Sequence, residues 1–270
     1  MIALSYTSLS AYRSCPKFFR YKYIEKRKST IPQNNRWFLE GAVVHDCLKA
    51  GFLHSKPLNE EYILSIFDSV FDRVFSEQRS RGVILFMTGE TKETIRDKTR
   101  ELLKLSISTV KKLGMDLGDV YNEYSVGTYF NPFELEKGLW IQGSVDWVKD
   151  TGEVLWVGDF KTSKDMTYIK GMQLLLYVMA LEKKMGKKVG EAFFLMLRSG
   201  AKVPVQLSEM QRSAALEILK DTNDHINKGI FYANPKEKVC RECIFRNMCS
   251  DAMLRVGPKV TSFGSSSSHG

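Results

Sequence analysis

The segment LWIQGSVDWVKDTGEVLWVGDFKT, residues 139–162, decides the fold class of this chain. Its two halves, LWIQGSVDWV and EVLWVGDFKT, are rich in β-branched and aromatic residues, and the KDTG sequence where they meet is typical of a hairpin turn. Asp159 and Lys161 are two positions apart, so on a strand their side chains emerge from the same face. Asp146 lies on the preceding strand. The segment therefore predicts a β-hairpin that carries two carboxylates and an amine on one face.

The register of this hairpin bears on whether the two carboxylates can share an ion. Counted outward from the KDTG turn, Asp146 pairs with about Leu155, four positions before Asp159. At ~3.3 Å per residue, that offset corresponds to roughly 13 Å along the strand, which is too far for a shared ion. A bulge, a strong twist or a shifted register is therefore needed to bring the carboxylates together.

Helical spacing dominates the chain before the hairpin. The expected helices run over residues 8–24, 36–54, 59–79 and 90–113. A strand-like segment, NEYSVGTYF, follows them. Beyond the hairpin the pattern predicts a helix over 165–185, two strands at EAFFLML and KVPVQL, and a final helix to about Lys228 that Ser208 and Gln211 open as a capping box.

This order of elements predicts an α/β fold with a mixed central sheet flanked by helices and an N-terminal helical elaboration. The length of 270 residues suits one domain better than two independent ones. We expect that domain to cover residues 1–256, with a helical insertion at about 56–120. Residues 257–270, which end in SSSSHG, are expected to be a flexible tail or tag.

Composition and charge narrow the class of partner. Hydrophobic residues make up 43% and charged residues 26% of the chain, which excludes a disordered protein. The net charge is +9, and residues 1–40 contain eight basic but only two acidic residues. Aromatic residues are interleaved with these cations, which suits phosphate binding and base stacking. A polyanionic partner contacted by Lys17, Arg20 and Lys22 is one interpretation; a solvated helix face with its aromatic side chains in the core is the other.

The sequence also predicts where the protein acts. The longest uninterrupted apolar run, from Leu174 to Leu181, is far shorter than the ~20 residues that a membrane-spanning helix needs. The opening MIALSYTSLS lacks a basic stretch followed by an apolar one. We therefore expect a soluble, cytoplasmic protein without membrane contact. The GxxxxGK[ST] motif is absent, so no motor activity is expected.

Two helical pairs complete the pattern around the hairpin. Gly41 and His45 are four apart in GAVVH, and Gln173 and Tyr177 are four apart on the next helix, so each pair shares a helix face. Together with the hairpin residues, the two pairs form an ordered pattern along the chain: GxxxH, then Asp, then Asp-x-Lys, then QxxxY. Together with the opening LSYTSLSAYRSCPKFFRYKYI, this arrangement resembles the PD-(D/E)XK nuclease superfamily, specifically its RecB-like branch.

The resemblance implies a restriction-endonuclease-like core and a metal-dependent active site. The implied metal ligands are His45, Asp146, Asp159 and the backbone carbonyl of Phe160. Lys161 would orient the attacking water and stabilise negative charge, and Gln173 and Tyr177 would position Lys161 or the DNA strand. Carboxylates suit Mg²⁺ or Mn²⁺, and the added imidazole shifts the preference toward Mn²⁺.

The cysteines indicate a second metal site, because structural disulfides are not expected in a protein inside the cell. Cys240, Cys243 and Cys249 form a C-x2-C-x5-C pattern, and Cys15 is the candidate for a fourth ligand. Cys47 is better interpreted as a core residue. Zinc and iron-sulfur clusters both accept four cysteines, so the spacing alone does not separate them.

Without the resemblance, zinc is slightly favoured; the resemblance changes this preference. One cysteine near the N-terminus and C-x2-C-x5-C near the C-terminus, at 240–249, is the arrangement of nucleases with an iron-sulfur staple, including the CRISPR-associated RecB-like nuclease and the AddB-type helicase-nuclease subunit. It implies a [4Fe-4S] cluster held by these four cysteines, with zinc as the second choice.

The resemblance also implies an activity. The expected protein is a metal-dependent DNA nuclease, an exonuclease on single-stranded DNA or duplex ends, in recombination, repair, phage DNA processing or CRISPR adaptation. A helicase, a recombination protein or a CRISPR adaptation protein would be its partner. The alternative is a nucleic-acid-binding or scaffolding protein that keeps the fold and a four-cysteine metal site without cleaving DNA.

Overall fold

The computed structural model describes residues 2–29, 36–81, 86–163 and 171–253, apart from the side chains of residues 36, 37 and 81. Within these ranges the helices are α1 (Tyr6–Ser14), α2 (Pro16–Phe19), α3 (Arg36–His54), α4 (Glu60–Arg81), α5 (Lys92–Lys112), α6 (Gly171–Met185), α7 (Glu209–Asn227) and α8 (Glu237–Glu242). A π-helical segment, Arg20–Ile24, continues α2, and a 3₁₀ turn, Arg246–Met248, follows α8. The expected tail at 257–270 and the start of the helix expected from 165 lie outside the described residues.

The strands form a mixed sheet. They are β1 (Asp119–Gly127), β2 (Phe133–Glu136), β3 (Leu139–Ile141), β4 (Gly143–Asp150), β5 (Leu155–Lys161), β6 (Val189–Met196) and β7 (Ala201–Pro204). The main sheet has the order β1-β4-β5-β6-β7, and β2 pairs with β3 separately. Neighbouring strands are antiparallel except β5 and β6, which are parallel and joined across α6. The predicted α/β fold with a mixed central sheet flanked by helices is therefore confirmed.

The hairpin of β4 and β5 differs in register from the expectation. Asp150 pairs with Leu155, so the turn consists of Thr151–Val154 rather than KDTG. The Thr151 N–H donates to the Val154 carbonyl at 3.0 Å and closes this turn. Continued along the strands, the observed register places Asp146 opposite Asp159. The expected pairing of Asp146 with Leu155 is wrong, and no bulge is needed to bring the two carboxylates to the same level of the sheet.

Two of the expected elements are divided. The helix expected over 8–24 breaks at Cys15, whose backbone is extended (φ −160°, ψ 107°), because Pro16 disfavours helical geometry in the residue before it. LWIQGSVDWV forms two strands, separated at Gln142, whose N–H donates to the Leu4 carbonyl instead of to a sheet neighbour. The N-terminal segment thereby joins the sheet region.

Two local details were not anticipated. FELE forms β2, which the sequence pattern did not identify as a strand. Ser208 caps α7 by accepting a hydrogen bond from the Gln211 N–H, but the Gln211 side chain donates to Gln206. The expected capping box is therefore only half formed.

Apolar side chains form a core on each face of the sheet. Helices α3, α4 and α5 cover one face, where they meet Trp147, Phe160 and Phe193. Helices α1, α6 and α7 cover the other, which includes Val157 and Phe194. This packing places α3 and α6 on opposite faces of the sheet, close to the C-terminal end of the central strand β5. None of the helices in the described ranges is long and apolar enough to cross a membrane.

Candidate active site

The end of β5 is the point where α3 approaches the sheet. A side chain at Gly41 would place its Cβ 3.2 Å from Thr162 Oγ1, so a glycine lets the helix come close to the strand. One turn later, His45 Nε2 lies 3.1 Å from the carbonyl oxygen of Phe160. The GxxxH spacing thus sets an imidazole beside the strand that carries Asp159 and Lys161.

Two carboxylates lie beside this imidazole and form with it a group of three potential metal ligands. His45 Nδ1 lies 3.5 Å from Asp146 Oδ1 and 3.9 Å from Glu123 Oε1. One ligand atom from each of the three residues lies within 4.8 Å of the other two. The second oxygen of each carboxylate is also held: Asp146 Oδ2 accepts from the Phe160 N–H at 2.7 Å, and Glu123 Oε2 accepts from Ser144 Oγ at 2.8 Å. One nitrogen and two carboxylates suit a divalent cation.

Glu123 is the residue of this group that the sequence analysis missed. It lies on β1, next to β4 in the sheet, and its backbone has φ 52°, in the left-handed region that non-glycine residues seldom adopt. Backbone strain of this kind collects at functional sites. The available signal was an acidic residue inside the strand-like segment NEYSVGTYF. The pairing of β1 with β4 was needed to place that residue beside Asp146.

Asp159, Lys161 and Gln173 form a closed group next to these ligands. Lys161 Nζ lies 2.6 Å from Asp159 Oδ2 and donates to Gln173 Oε1 at 3.1 Å. Gln173 Nε2 donates to Asp159 Oδ1 at 2.8 Å. The Gln173 amide therefore holds both charged groups of the Asp-x-Lys motif in fixed positions.

The pKa values in this region follow from burial and from crowded carboxylates. Asp159 is only 4% exposed, and burial together with the nearby charge of Asp146 raises its pKa to about 7, against the lowering effect of Lys161 and His45. Burial alone would lower the pKa of His45, but the charges of Asp146, Glu123 and Asp159 hold it well above its ordinary value. A proton on His45 and a divalent cation would therefore compete for the same carboxylates.

Tyr177 borders the group from α6. Its ring packs so closely on Gly143 that a Cβ there would lie 2.7 Å from Tyr177 Cε1. Burial, and then the charge of Asp159, raises the pKa of the Tyr177 hydroxyl, which therefore stays protonated near neutral pH. Tyr177 follows Gln173 by four residues on α6, so the two residues of the QxxxY pair lie on one face of that helix.

An ion pair outside the motifs fixes the end of β5. Arg198 Nε donates to the Thr162 carbonyl at 2.7 Å, and Arg198 Nη2 donates to Glu40 Oε2 at 2.8 Å. Glu40 precedes Gly41 on α3 and is 4% exposed. Arg198 therefore ties the helix that carries His45 to the strand that carries Lys161.

The four cysteines of the second expected site lie around one cavity. The cavity has a volume of about 460 Å³, and its lining includes Cys15, Cys240, Cys243 and Cys249. Burial raises the pKa of the Cys243 thiol, and the other three cysteines add to the effect. Cys47, in contrast, is fully buried in the core, as predicted, and burial raises the pKa of its thiol to about 12.

Aromatic side chains join the two chain ends beside this cavity. The Phe245 ring, from the C-terminal segment, lies with its centroid 5.4 Å from that of Phe18 and 5.6 Å from that of Tyr21. The Lys17 N–H also donates to the Tyr232 carbonyl at 3.0 Å. The N-terminal helices and the segment around α8 thus form one packed unit.

The cations expected to bind DNA have contacts within the protein. Lys17 Nζ lies 2.5 Å from Asp251 Oδ2, and Arg20 Nε lies 2.6 Å from Glu25 Oε1. Lys22 Nζ lies 5.7 Å from the centroid of the Phe18 ring. Arg20 and Lys22 are exposed, so both remain accessible to a phosphate.

Comparison with known proteins identifies the family. The model of the PD-(D/E)XK nuclease superfamily matches residues 3–250, and the chain therefore belongs to this superfamily. No curated protein matches the chain. Members of the superfamily are metal-dependent nucleases, and DNA is the substrate that membership implies. The His45, Glu123 and Asp146 group is the candidate site for the metal.

Proposed function

We propose that this protein is a RecB-like DNA exonuclease that acts on single-stranded DNA or duplex ends. The observation that carries the proposal is the three-ligand group of His45, Glu123 and Asp146 beside the Asp159, Lys161 and Gln173 group. Hydrolysis of a phosphodiester needs ligands for a cation and a separate positive group for the charge that develops at phosphorus. The two neighbouring groups supply both.

The protein's own residues would divide the work as follows. His45, Asp146 and Glu123 would hold Mg²⁺ or Mn²⁺, with Asp159 and the Phe160 carbonyl next to them as further ligands. The bound ion would lower the pKa of an attacking water and neutralise charge on the phosphate. Lys161, kept in place by Gln173 and Asp159, would orient that water and stabilise the negative charge of the transition state. Gln173 and Tyr177 would position Lys161 or the DNA strand.

The cysteine cavity would hold a [4Fe-4S] cluster. Cys15, Cys240, Cys243 and Cys249 would supply the four thiolates that such a cluster takes, and all four residues line the same cavity. The cluster would fasten the two chain ends together, away from the hydrolytic site. Zinc is the alternative, and metal analysis separates the two.

The DNA would approach along the basic N-terminal segment. Lys17, Arg20 and Lys22 would contact phosphates, with salt-dependent affinity. We place the protein in the cytoplasm and in recombination, repair, phage DNA processing or CRISPR adaptation, with a helicase, a recombination protein or a CRISPR adaptation protein as partner.

A digestion assay tests the proposal. End-labelled linear single strands, duplexes and a circular single strand are incubated with Mg²⁺, Mn²⁺ or a chelator. We expect ion-dependent loss of the linear substrates, no cutting of the circle, and a loss of at least about 100-fold in rate for Lys161→Ala. Lys187→Ala is the matched control, since Lys187 forms an ion pair of the same length, 2.6 Å, with Asp150 at the other end of the hairpin. Folded wild-type protein that binds DNA but cuts none of the substrates would favour a scaffolding role.

A further inference from the structure

The turn between β1 and β2 carries two adjacent aromatic side chains. The Thr128 N–H donates to the Asn131 carbonyl at 2.9 Å, and the Asn131 N–H donates to Thr128 Oγ1 at 3.0 Å. These two hydrogen bonds close a four-residue turn with Tyr129 and Phe130 at its central positions. We call Thr128–Asn131 the aromatic turn.

Both rings of the aromatic turn face solvent. Tyr129 is 67% exposed, and Phe130, at 93%, is the most exposed large apolar side chain in the described part of the chain. Their ring centroids are 5.2 Å apart at an interplanar angle of 86°, so the rings present faces in two directions. Turn tips are normally occupied by glycine, proline and small polar residues. Two rings this exposed bury little apolar surface within the protein, so their faces are available to a ligand.

Positive charge lies next to these rings. Lys26 Nζ lies 3.4 Å from the Tyr129 hydroxyl oxygen and 5.7 Å from the ring centroid. Arg27 and Lys28 follow in the chain, and all three residues are exposed. Arg27 forms an ion pair with Glu25, whereas Lys26 contacts Tyr129 of the aromatic turn. A cation beside an open aromatic face is the combination that binds single-stranded nucleic acid, with stacking on the base and charge on the phosphate.

The aromatic turn also has a fixed relation to the candidate active site. Glu123, one of the three candidate metal ligands, lies on β1, and Tyr129 follows six residues later. At ~3.3 Å per residue, the separation along the chain is at most about 20 Å. A DNA single strand of several nucleotides can therefore contact both places at once.

We propose that the aromatic turn is a stacking platform for a base of single-stranded DNA whose cleaved phosphate lies at the candidate active site, and that Lys26 binds a phosphate beside that base. This proposal rests on the proposed nuclease function and makes its substrate single-stranded. Bases inside a duplex are already stacked and offer no free face to the rings. The open turn therefore selects an unpaired strand.

The experiment measures DNA affinity as a function of length. Fluorescence anisotropy gives Kd for labelled oligothymidylates from about 4 to 20 nucleotides, in the Lys161→Ala background so that the DNA stays intact. We expect Kd to fall once the strand can reach from the active site to the aromatic turn, and Tyr129→Ala/Phe130→Ala to remove that step, weakening long-strand binding by about fivefold or more. Strands too short to reach the aromatic turn should bind with the same Kd to the Lys161→Ala protein with and without the two alanine substitutions.

Further variants separate stacking from simple apolar contact and from charge. Phe130→Trp should retain the affinity, whereas Phe130→Leu should lose it, because leucine keeps apolar area without an aromatic face. Lys26→Gln should lower the slope of log Kd against log salt concentration by up to about one. Met210→Ala removes another exposed apolar side chain, 78% exposed on α7, and should change nothing.

The outcomes distinguish failure of the stacking platform from failure of the proposed nuclease function. If wild-type protein neither binds nor cuts DNA with any divalent ion, the proposed function is wrong. If it binds and cuts DNA but the double alanine variant has the wild-type Kd at every length, only the stacking platform is overturned. Equal affinities of Phe130→Leu and Phe130→Trp would also overturn it. Both substituted side chains are exposed, so an unchanged melting temperature is expected and is checked in parallel.

Discussion

The candidate active site and the cysteine cavity are assembled in different ways. Side chains of the active site come from adjoining strands and the two helices packed on them, and they contact one another directly, as Lys161 does with Asp159 and Gln173. The cysteines come from opposite ends of the chain, since Cys15 and Cys240 are separated by more than two hundred residues. Packing of aromatic rings, such as Phe18 on Phe245, holds those ends together.

The difference predicts different consequences of losing a ligand. The sheet positions the acidic residues whether or not a metal binds, so substitutions there should remove activity and leave the protein folded. Ligands that join distant parts of the chain restrict the unfolded state, so their loss should lower stability. The variants below test this contrast from the largest expected effect to the smallest.

Asp146→Ala should have the largest effect on cleavage, with a loss of at least about 100-fold, because it removes a negatively charged candidate ligand and the acceptor for the Phe160 N–H. His45→Ala should cause a smaller loss, since a neutral imidazole contributes no charge to the ion. Cleavage rates are measured over a range of Mg²⁺ and Mn²⁺ concentrations.

Glu123→Gln is the informative companion variant. It keeps the size of the side chain but removes its charge. We expect its cleavage rate to lie between those of Asp146→Ala and His45→Ala. A higher ion concentration should be needed for the half-maximal rate. Folding is checked by thermal unfolding. Equal losses for Asp146→Ala and His45→Ala with both ions would contradict these ligand roles.

Cys15→Ala should affect stability more than chemistry. Loss of this proposed cluster ligand should remove the brown colour and most of the iron that the proposal expects in anaerobically purified protein, lower the melting temperature by about 5 °C or more, and expose both chain ends to protease. Iron, acid-labile sulfide and zinc are measured on the same samples.

Cys47→Ala is the matched control, because Cys47 is a buried core thiol away from the cavity. Its iron content should equal that of wild type. Full iron in the Cys15 variant, or zinc instead of iron in the anaerobic wild type, would contradict the cluster assignment.

The pH dependence of stability should reveal the crowded carboxylates. Folding raises the pKa of Asp159 from 3.8 to about 7, so its contribution to stability is fully present below about pH 4 and is lost as the pH rises through 7. The raised pKa of His45 changes stability in the same direction, because its contribution to stability is also lost as the pH rises through the pKa of the folded state. The metal-free protein should therefore lose on the order of 2 kcal/mol in free energy of unfolding between pH 5 and 8.

Divalent ions should reverse this trend. Because the ion needs ionised carboxylates and a neutral imidazole, Mn²⁺ should raise the melting temperature more at pH 8 than at pH 5. Asp159→Asn should flatten the pH profile of the metal-free protein. A metal-free stability that rises from pH 5 to pH 8, measured by chemical denaturation, would be inconsistent with the raised pKa values.

The smallest expected effect concerns the basic segment beside the cysteines. Replacement of Lys17, Arg20 and Lys22 by Gln should weaken DNA binding and lower the salt slope, by less than one unit per residue. The partial effect follows because Lys17 and Arg20 already form ion pairs with Asp251 and Glu25. Kd is measured at several salt concentrations.

A control with the same change in net charge is available on α5, where Lys104, Lys111 and Lys112 are exposed. Their joint replacement by Gln should leave the slope nearer to that of wild type. Identical slopes for the two triple variants would return the N-terminal cations to the interpretation as a solvated helix face.

Local patterns in the sequence predicted much of the fold. The helix at Arg36–His54 has the expected bounds, and the hairpin, the crossover helix and the following strands lie where their periodicity indicated. The motif pairs were also readable, because residues two apart on a strand or four apart on a helix share a face whatever surrounds them. These features depend on contacts only a few residues apart.

Tertiary structure decided what depends on contacts between distant segments. Glu123 is an ordinary strand residue until β1 pairs with β4 and sets it beside Asp146 and His45. The register that brings Asp146 level with Asp159 depends on a turn at Thr151–Val154, whose closing hydrogen bond the residue types alone did not specify. Sequence by itself determined which chemical groups lie on each element, because that follows from local geometry. Their assembly into one site was decided by strand register and helix packing, which are set by burial and hydrogen bonding across the whole chain.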